Sequence, residues 1–367
     1  MRTKSITRNF KHNQFGYVLI IVCSLAALWV IVSLVIQTGW SFGVDSDHID
    51  HIGSYIGGLV GIVTVYYLYW TLQSQNLSFR LSSFEERLLE MMKLQREKAA
   101  TLKVKNTKTA NTPYVNGQDA IEFFIIRYVE AYDKVCDFMS DKSAQSVYRT
   151  PEDYQRDARI WSETLVMERL CANIAYLITF IGVNDAGVRL LKGKYLIKYN
   201  NEYVDSILKQ FQLMLAEGDP LNSQENNALT EAEKLLCENK VFVGFQHEFG
   251  NYFRQLYQLV TYVNNQDWLT YDDKYGYVKM LRAQLSNQEE ALLFYNSLSD
   301  IGMAWEYAER AGEKHDVNKQ LITKYNLFKN IPHNTTKPLV ERFYPNIKYE
   351  EDNEANQERG NLLNLYS

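Results

Sequence analysis

Two stretches near the start of the chain are apolar on every side, whereas the positions after residue 80 alternate apolar and polar with a helical period. Residues 16–36 (GYVLIIVCSLAALWVIVSLVI) carry no charge and match the roughly 20 apolar residues that a helix needs to cross the hydrocarbon core of a bilayer. Residues 52–72 (IGSYIGGLVGIVTVYYLYWTL) are again uncharged, and no charge follows until Arg80. With no water to satisfy backbone N–H and C=O groups, such segments must be helices. The pattern predicts a transmembrane hairpin over 15–77, with the lipid bilayer as its solvent.

The flanks orient it. Arg2, Lys4, Arg8 and Lys11 stand in a basic arm over 1–14, and the connecting loop holds Asp45, Asp47 and Asp50 with no Lys or Arg. The positive-inside rule then puts the N-terminus in the cytoplasm, and two spans return the C-terminus to the same side. The competing reading of the first span, a cleaved secretory signal, fits its length less well. Trp40 and Phe42, and at the other end Tyr66, Tyr67, Tyr69 and Trp70, suit interfacial aromatic belts. Gly53, Gly57 and Gly61 recur every four residues and share one helix face, open either to the first span or to a second hairpin.

Beyond the hairpin, Leu77, Leu81, Phe84, Leu88 and Met91 step by four and three, which predicts a helical stalk over 78–98. Self-association through the hairpin or this stalk would make a homo-oligomer. Residues 99–116 lose the period and gather Lys, Thr and Asn, as a hinge would. A cytoplasmic helical domain is expected over 117–332. Its helices run from about Gly117, over 153–180, over 203–215 to the terminator Gly218-Asp219-Pro220, and over 229–263. No alternation predicts a sheet, so the fold class is all-α. Residues 333–367 read as a polar, mobile tail with an acidic run from Glu350 to Glu354.

Composition narrows the function. Six prolines and 18 glycines leave few helix breakers, and a net charge of −5 with no basic stripe gives no strong nucleic-acid signature. Cys23, Cys136, Cys171 and Cys237 lack any paired spacing, so neither a disulfide framework nor a zinc site is expected. Asp45, Asp47, Asp50, His48 and His51 could hold a divalent cation, but read more simply as an acidic loop that caps the second span. No nucleotide loop, nucleophile elbow or metalloprotease motif occurs, and no metal or cofactor is assigned.

Two stretches stand out, 249–260 (FGNYFRQLYQLV) and 281–296 (LRAQLSNQEEALLFYN). Ser286 and Glu289 form a capping box that starts a helix. Arg254 and Arg282 lie among aromatics and leucines, which predicts that both are at least half buried and paired, with Glu289, Glu290 and tyrosine hydroxyls as acceptors. The residues Tyr252-Phe253-Arg254, Leu256-Tyr257, Arg282-Ala283-Gln284-Leu285-Ser286 and Phe294-Tyr295-Asn296, with Phe84-Glu85 upstream, resemble the AbiC-like family of phage abortive infection proteins. The resemblance implies a membrane protein of bacterial antiphage defence, in the inner membrane, whose cell dies or arrests before phage release. It makes Tyr252, Phe253, Arg254, Tyr257, Arg282, Gln284, Ser286, Glu289, Tyr295 and Asn296 the motif or binding set, with an unknown phage-derived trigger or regulatory partner. The family often has histidines where this chain has Asn251 and Gln255.

Catalytic residues are not assigned, and an enzyme is not the leading expectation. His247 is the best available general base, one turn before the Tyr-Phe-Arg segment, although a His on a helix face is more often structural. Arg310 and His315 have the spacing of the HEPN ribonucleases, interrupted by Gly312. The leading expectation is a membrane-anchored effector that senses a phage product and triggers membrane disruption or growth arrest. A membrane-tethered nuclease and a membrane scaffold or receptor outside defence are the alternatives.

Overall fold

The computed structural model describes residues 46–105, 114–217, 242–306 and 320–350, together with Val18, Ile21, Val22, Leu25, Ala26, Leu28, Trp29, Val32 and Ile36. Those nine positions are helical; the rest of the first expected span, and residues 1–14, lie outside the described residues. The expected hairpin of two spans is therefore not what the structure establishes. It contains one long helix, α1 (Ser46–Ala100), and that helix already includes most of the loop expected at 45–51. The chain divides into two units, residues 1–90 and 91–367.

In the first unit, α1 exposes Val60, Ile62, Val65, Leu68 and Leu72. A Cβ built at Gly57 or Gly61 would meet no described atom within 4 Å, so the glycine face is open; Gly53 stands on the same helix.

Among its described residues the second unit is helical apart from one two-stranded ribbon. At both ends of the expected hinge the chain pairs as antiparallel strands, β1 (Lys103–Lys105) with β2 (Tyr114–Asn116), because Val104 and Val115 give each strand an apolar residue in register. Then come α2 (Gln118–Met139), α3 (Ala144–Val147), α4 (Pro151–Ala158), α5 (Glu163–Ile181), α6 (Asp185–Leu190) with a π-helical turn over Leu191–Tyr195, and α7 (Asn201–Glu217). After residues outside the description follow α8 (Gln246–Asn264), α9 (Tyr271–Arg282), α10 (Asn287–Leu298), a 3-10 turn over Met303–Trp305, α11 (Leu321–Tyr325) and α12 (Val340–Phe343).

The helix starts follow capping chemistry. The Thr150 side chain accepts from Asp153 N–H with Pro151 in the first turn, and Thr270–Asp273 and Ser286–Glu289 close reciprocal capping boxes. The single helix expected over 153–180 is two, α4 and α5, broken at 159–162 where Ser162 takes an extended conformation ahead of Glu163. The core is α2 against α5, with α10 across both: Phe124, Tyr128, Ala131 and Val135 from α2 meet an α5 on which every residue from Arg169 to Ile181 is buried. Among the described residues α5 is the one helix long and apolar enough to cross a membrane, yet 78% of its apolar window is buried inside the unit. It is a core helix.

The tail begins later than the polarity of 333–367 suggested. Thr336, Val340, Phe343, Tyr344, Ile347 and Tyr349 are buried, and the Tyr344 hydroxyl donates to Ser297 Oγ at 2.8 Å. Their three- and four-residue spacing outweighs the interleaved charges. Residues 351–367 lie outside the described residues.

The start of α8 is placed by two glycines. Residues 242–245, expected as helix, are irregular, with Phe242 at φ 58°, and cross the end of α5: Val183 N–H donates to Phe242 O at 3.0 Å and Phe245 N–H to Phe180 O at 2.8 Å. Gly182 (φ 87°) and Gly244 (φ 96°) sit back to back at the crossing. A Cβ on Gly244 would fall 2.3 Å from Ile181 O, a contact with fixed backbone. Gly244→Ala should therefore destabilise the protein by about 1–3 kcal/mol through the left-handed φ alone, with the clash added. Gly193→Ala, where a Cβ meets nothing within 4 Å, should leave stability within about 0.5 kcal/mol. Thermal unfolding of the two purified variants checks this.

Candidate functional site

The two stretches singled out in the sequence face each other as α8 and α10, and Glu289 joins them. Its side chain accepts from Ser286 N–H at 2.9 Å, which completes the capping box, and from the Tyr252 hydroxyl at 3.1 Å. Arg96, from the last turns of α1, donates to Gln284 O at 2.8 Å and lies 3.8 Å from Glu289. Burial raises the Tyr252 phenol well above its ordinary value, and the Glu289 carboxylate beside it adds to the shift. Tyr252 thus stays a neutral donor. Arg96, Tyr252, Gln284, Ser286 and Glu289 form one cluster that locks α1, α8 and α10 together.

Arg282 is buried, but its partners are not carboxylates. It donates to Tyr325 O at 3.2 Å and Asn326 O at 2.9 Å, so it caps the carbonyl end of α11. Asn326 there takes φ 50°. Glu290 is buried beside it and accepts from Asn330 N–H at 3.0 Å and Asn330 Nδ2 at 2.7 Å. Burial pushes the Glu290 carboxyl up to about 8, against the pull of those donors and of Arg282. Tyr295 stacks on Tyr128 at 4.1 Å, and Asn296 donates to the buried Tyr176 hydroxyl at 2.7 Å.

Arg254 differs from its expectation. It is exposed, and among the described residues its guanidinium bonds within α8, to Gly250 O at 3.2 Å and Asn251 Oδ1 at 2.6 Å. The helical period explains it: Phe249, Tyr252, Phe253 and Leu256 face the core, which leaves His247, Asn251, Arg254 and Gln258 on the opposite stripe. That stripe lines a cavity of about 810 Å³. Its apolar walls include Phe180, Phe253, Tyr257 and Trp305, with Tyr257 edge-on to Trp305 at 5.1 Å. Asn296 reaches the floor.

The predicted set therefore separates. Phe253, Arg254, Tyr257 and Asn296, with the candidate base His247, line the cavity; Tyr252, Arg282, Gln284, Ser286, Glu289 and Tyr295 do not line it. Arg310 and His315 lie outside the described residues. Among the described residues no group of His, Cys, Asp or Glu could hold a metal ion.

Residues 244–336 match the family described as putative phage abortive infection protein. The abortive infection match opens at the glycine crossing and takes in α8, α9, α10 and α11. It covers the Glu289 cluster except for Arg96, and the larger part of the cavity wall. No curated protein and no solved structure matches the chain.

Sequence reasoning missed a buried charge network behind the cavity. Arg169, wholly buried on α5, donates to Asp157, Asp300 and Leu298 O, and Lys198 bridges the same two carboxylates at 3.1 and 2.9 Å. A charged residue midway along an otherwise apolar helix was the available signal.

Two predictions follow from the arginines and from Glu290. Arg282→Gln leaves two carbonyls with a weaker donor and should cost about 1.5–3 kcal/mol, whereas Arg254→Gln should melt like wild type. Glu290 binds its proton more tightly folded than unfolded, so its contribution is fully present below its usual 4.5 and is lost as pH rises through about 8. Glu290→Gln mimics the protonated form, and the Tm of the variant should fall less than that of wild type between pH 5 and pH 8.5.

Proposed function

We propose that the chain is a membrane-anchored effector of abortive infection, whose helical domain, on the cytoplasmic side of a bacterial inner membrane, senses a phage product or partner. Engagement of that trigger drives membrane disruption or growth arrest. The observation that carries this reading is the continuity of α1. Its residues between 54 and 72 present apolar side chains around the helix with no charge among them, and an apolar surface of that kind is stable only in lipid or against a partner. The same helix ends in turns whose Arg96 bonds Gln284, inside the segment that matches the abortive infection family.

The basic arm at 1–14 supports a cytoplasmic N-terminus, and the apolar 16–36 supports a second span, so that the anchor is a hairpin with both termini inside. A trigger shifts such a device only through unequal affinity for its two states. The glycine stripe of α1 supports self-association of anchors as the response, because it permits close backbone approach.

Plating efficiency of phage on cells with and without the gene tests the role directly, and a reduction by the wild-type gene is expected. Gly57→Leu should insert into the membrane and melt like wild type, since no described atom stands within 4 Å of a Cβ there, yet restore phage plating to the level of cells without the gene. Full protection by Gly57→Leu would remove the glycine face from the mechanism.

A further inference from the structure

The cavity along α8 has a chemistry of its own. One cation, Arg254, and one imidazole, His247, project from the same stripe one to two turns apart. No carboxylate stands among the described residues that line it. Arg254 uses its Nε and one Nη2 proton within the helix, and its plane keeps further N–H donors for an incoming group. The Asn251 contact also fixes the direction of the guanidinium, which lowers the cost of binding. Three side-chain amides, Gln246, Asn251 and Gln258, flank these groups. Beside them Tyr257 is half-buried and meets the edge of Trp305, while Phe180, Phe253 and Trp305 are themselves buried.

A cavity of about 810 Å³ with aromatic walls, amides and one unopposed guanidinium fits a ligand of defined parts. It needs a negative group that Arg254 and His247 can hold together. It needs a planar ring that stacks or lies edge-on to the aromatic wall, and ring heteroatoms that the amides can read. From this geometry we infer that the cavity binds a phosphorylated nucleoside. The phosphate takes Arg254 and His247, and the base stacks on the half-buried Tyr257. Gly250 also lines the cavity, and a Cβ built there would meet Arg254 Nη2 at 3.9 Å.

The inference deepens the sensor reading and rests on it for its biological meaning, but its test does not depend on phage. Full-length protein in detergent is titrated calorimetrically with AMP, GMP, CMP, UMP and inorganic phosphate. At least one nucleotide should bind with a Kd below about 1 mM, and inorganic phosphate at least about tenfold more weakly. Arg254→Gln should weaken that nucleotide about tenfold or more, the loss expected for a charged hydrogen bond. Gly250→Leu, whose side chain starts 3.9 Å from Arg254 Nη2 and fills the space beside the guanidinium, should abolish binding while the Tm of the free protein holds.

Absence of binding by all four nucleotides overturns the inference, as does unchanged affinity in both variants. Inorganic phosphate binding as tightly as the nucleotides also overturns it, since the aromatic wall then contributes nothing. Nucleotide binding in a protein that gives no protection against phage would leave the cavity assigned and sink the defence reading instead.

Discussion

The fold of the second unit depends on keeping the Arg169 charge out of water. A guanidinium with no solvent contact costs several kcal/mol unless its donors and its charge are matched, and here three segments converge on it. Asp157 comes from α4, Lys198 from the segment before α7, and Leu298 O and Asp300 from the end of α10. Two cations face two carboxylates, so the cluster is neutral as a whole. Burial alone would raise both carboxyls, but Arg169 and Lys198 outweigh it and hold Asp157 and Asp300 below the usual carboxylate range. Asn173 completes the shell, donating to Asp300 and accepting from its backbone N–H at 2.8 Å. Loss of one partner from such a cluster commonly costs about 3–5 kcal/mol.

That cluster also sets the candidate site. The turn that Asp300 anchors carries Ile301, Ala304 and Trp305, which form one wall of the cavity. Its opposite wall is α8, seated by the Gly182–Gly244 crossing and held from beneath by Tyr252 on Glu289. The segment that matches the abortive infection family thus has two faces with different duties. Phe249, Tyr252, Phe253 and Leu256 serve the core, while His247, Asn251 and Arg254 are free of packing obligations and face the cavity. A polar stripe beside a rigid aromatic wall is the arrangement that ligand recognition requires.

Two helices show why apolarity alone is ambiguous. Both α5 and the first part of α1 are apolar enough to avoid water. The former carries Arg169 and Asn173 at its centre, and the surrounding helices satisfy both groups and bury the whole element. The latter has no polar centre to satisfy and no described atoms against its glycine face, so its apolar surface is left to lipid or a partner.

Local rules made much of this legible before any coordinates. The period of Ile121, Phe124, Tyr128 and Val135 marked the core face of α2, and Ser286 with Glu289 marked the start of α10, because periodicity and capping act within a turn or two. The same locality explains the errors. Arg254 and Arg282 sit in similar apolar company along the chain, and only the packing of α8 and α11 decided that one is exposed on a cavity and the other buried on backbone carbonyls. The crossing at 242–245 and the docking of 336–349 depend on partners far away in sequence. What the sequence by itself determined were most of the helices and the caps that start them. Which charges are buried, and where a cavity opens, was decided by tertiary structure, because burial and ion pairing depend on contacts between different elements, such as Arg169 with both Asp157 and Asp300.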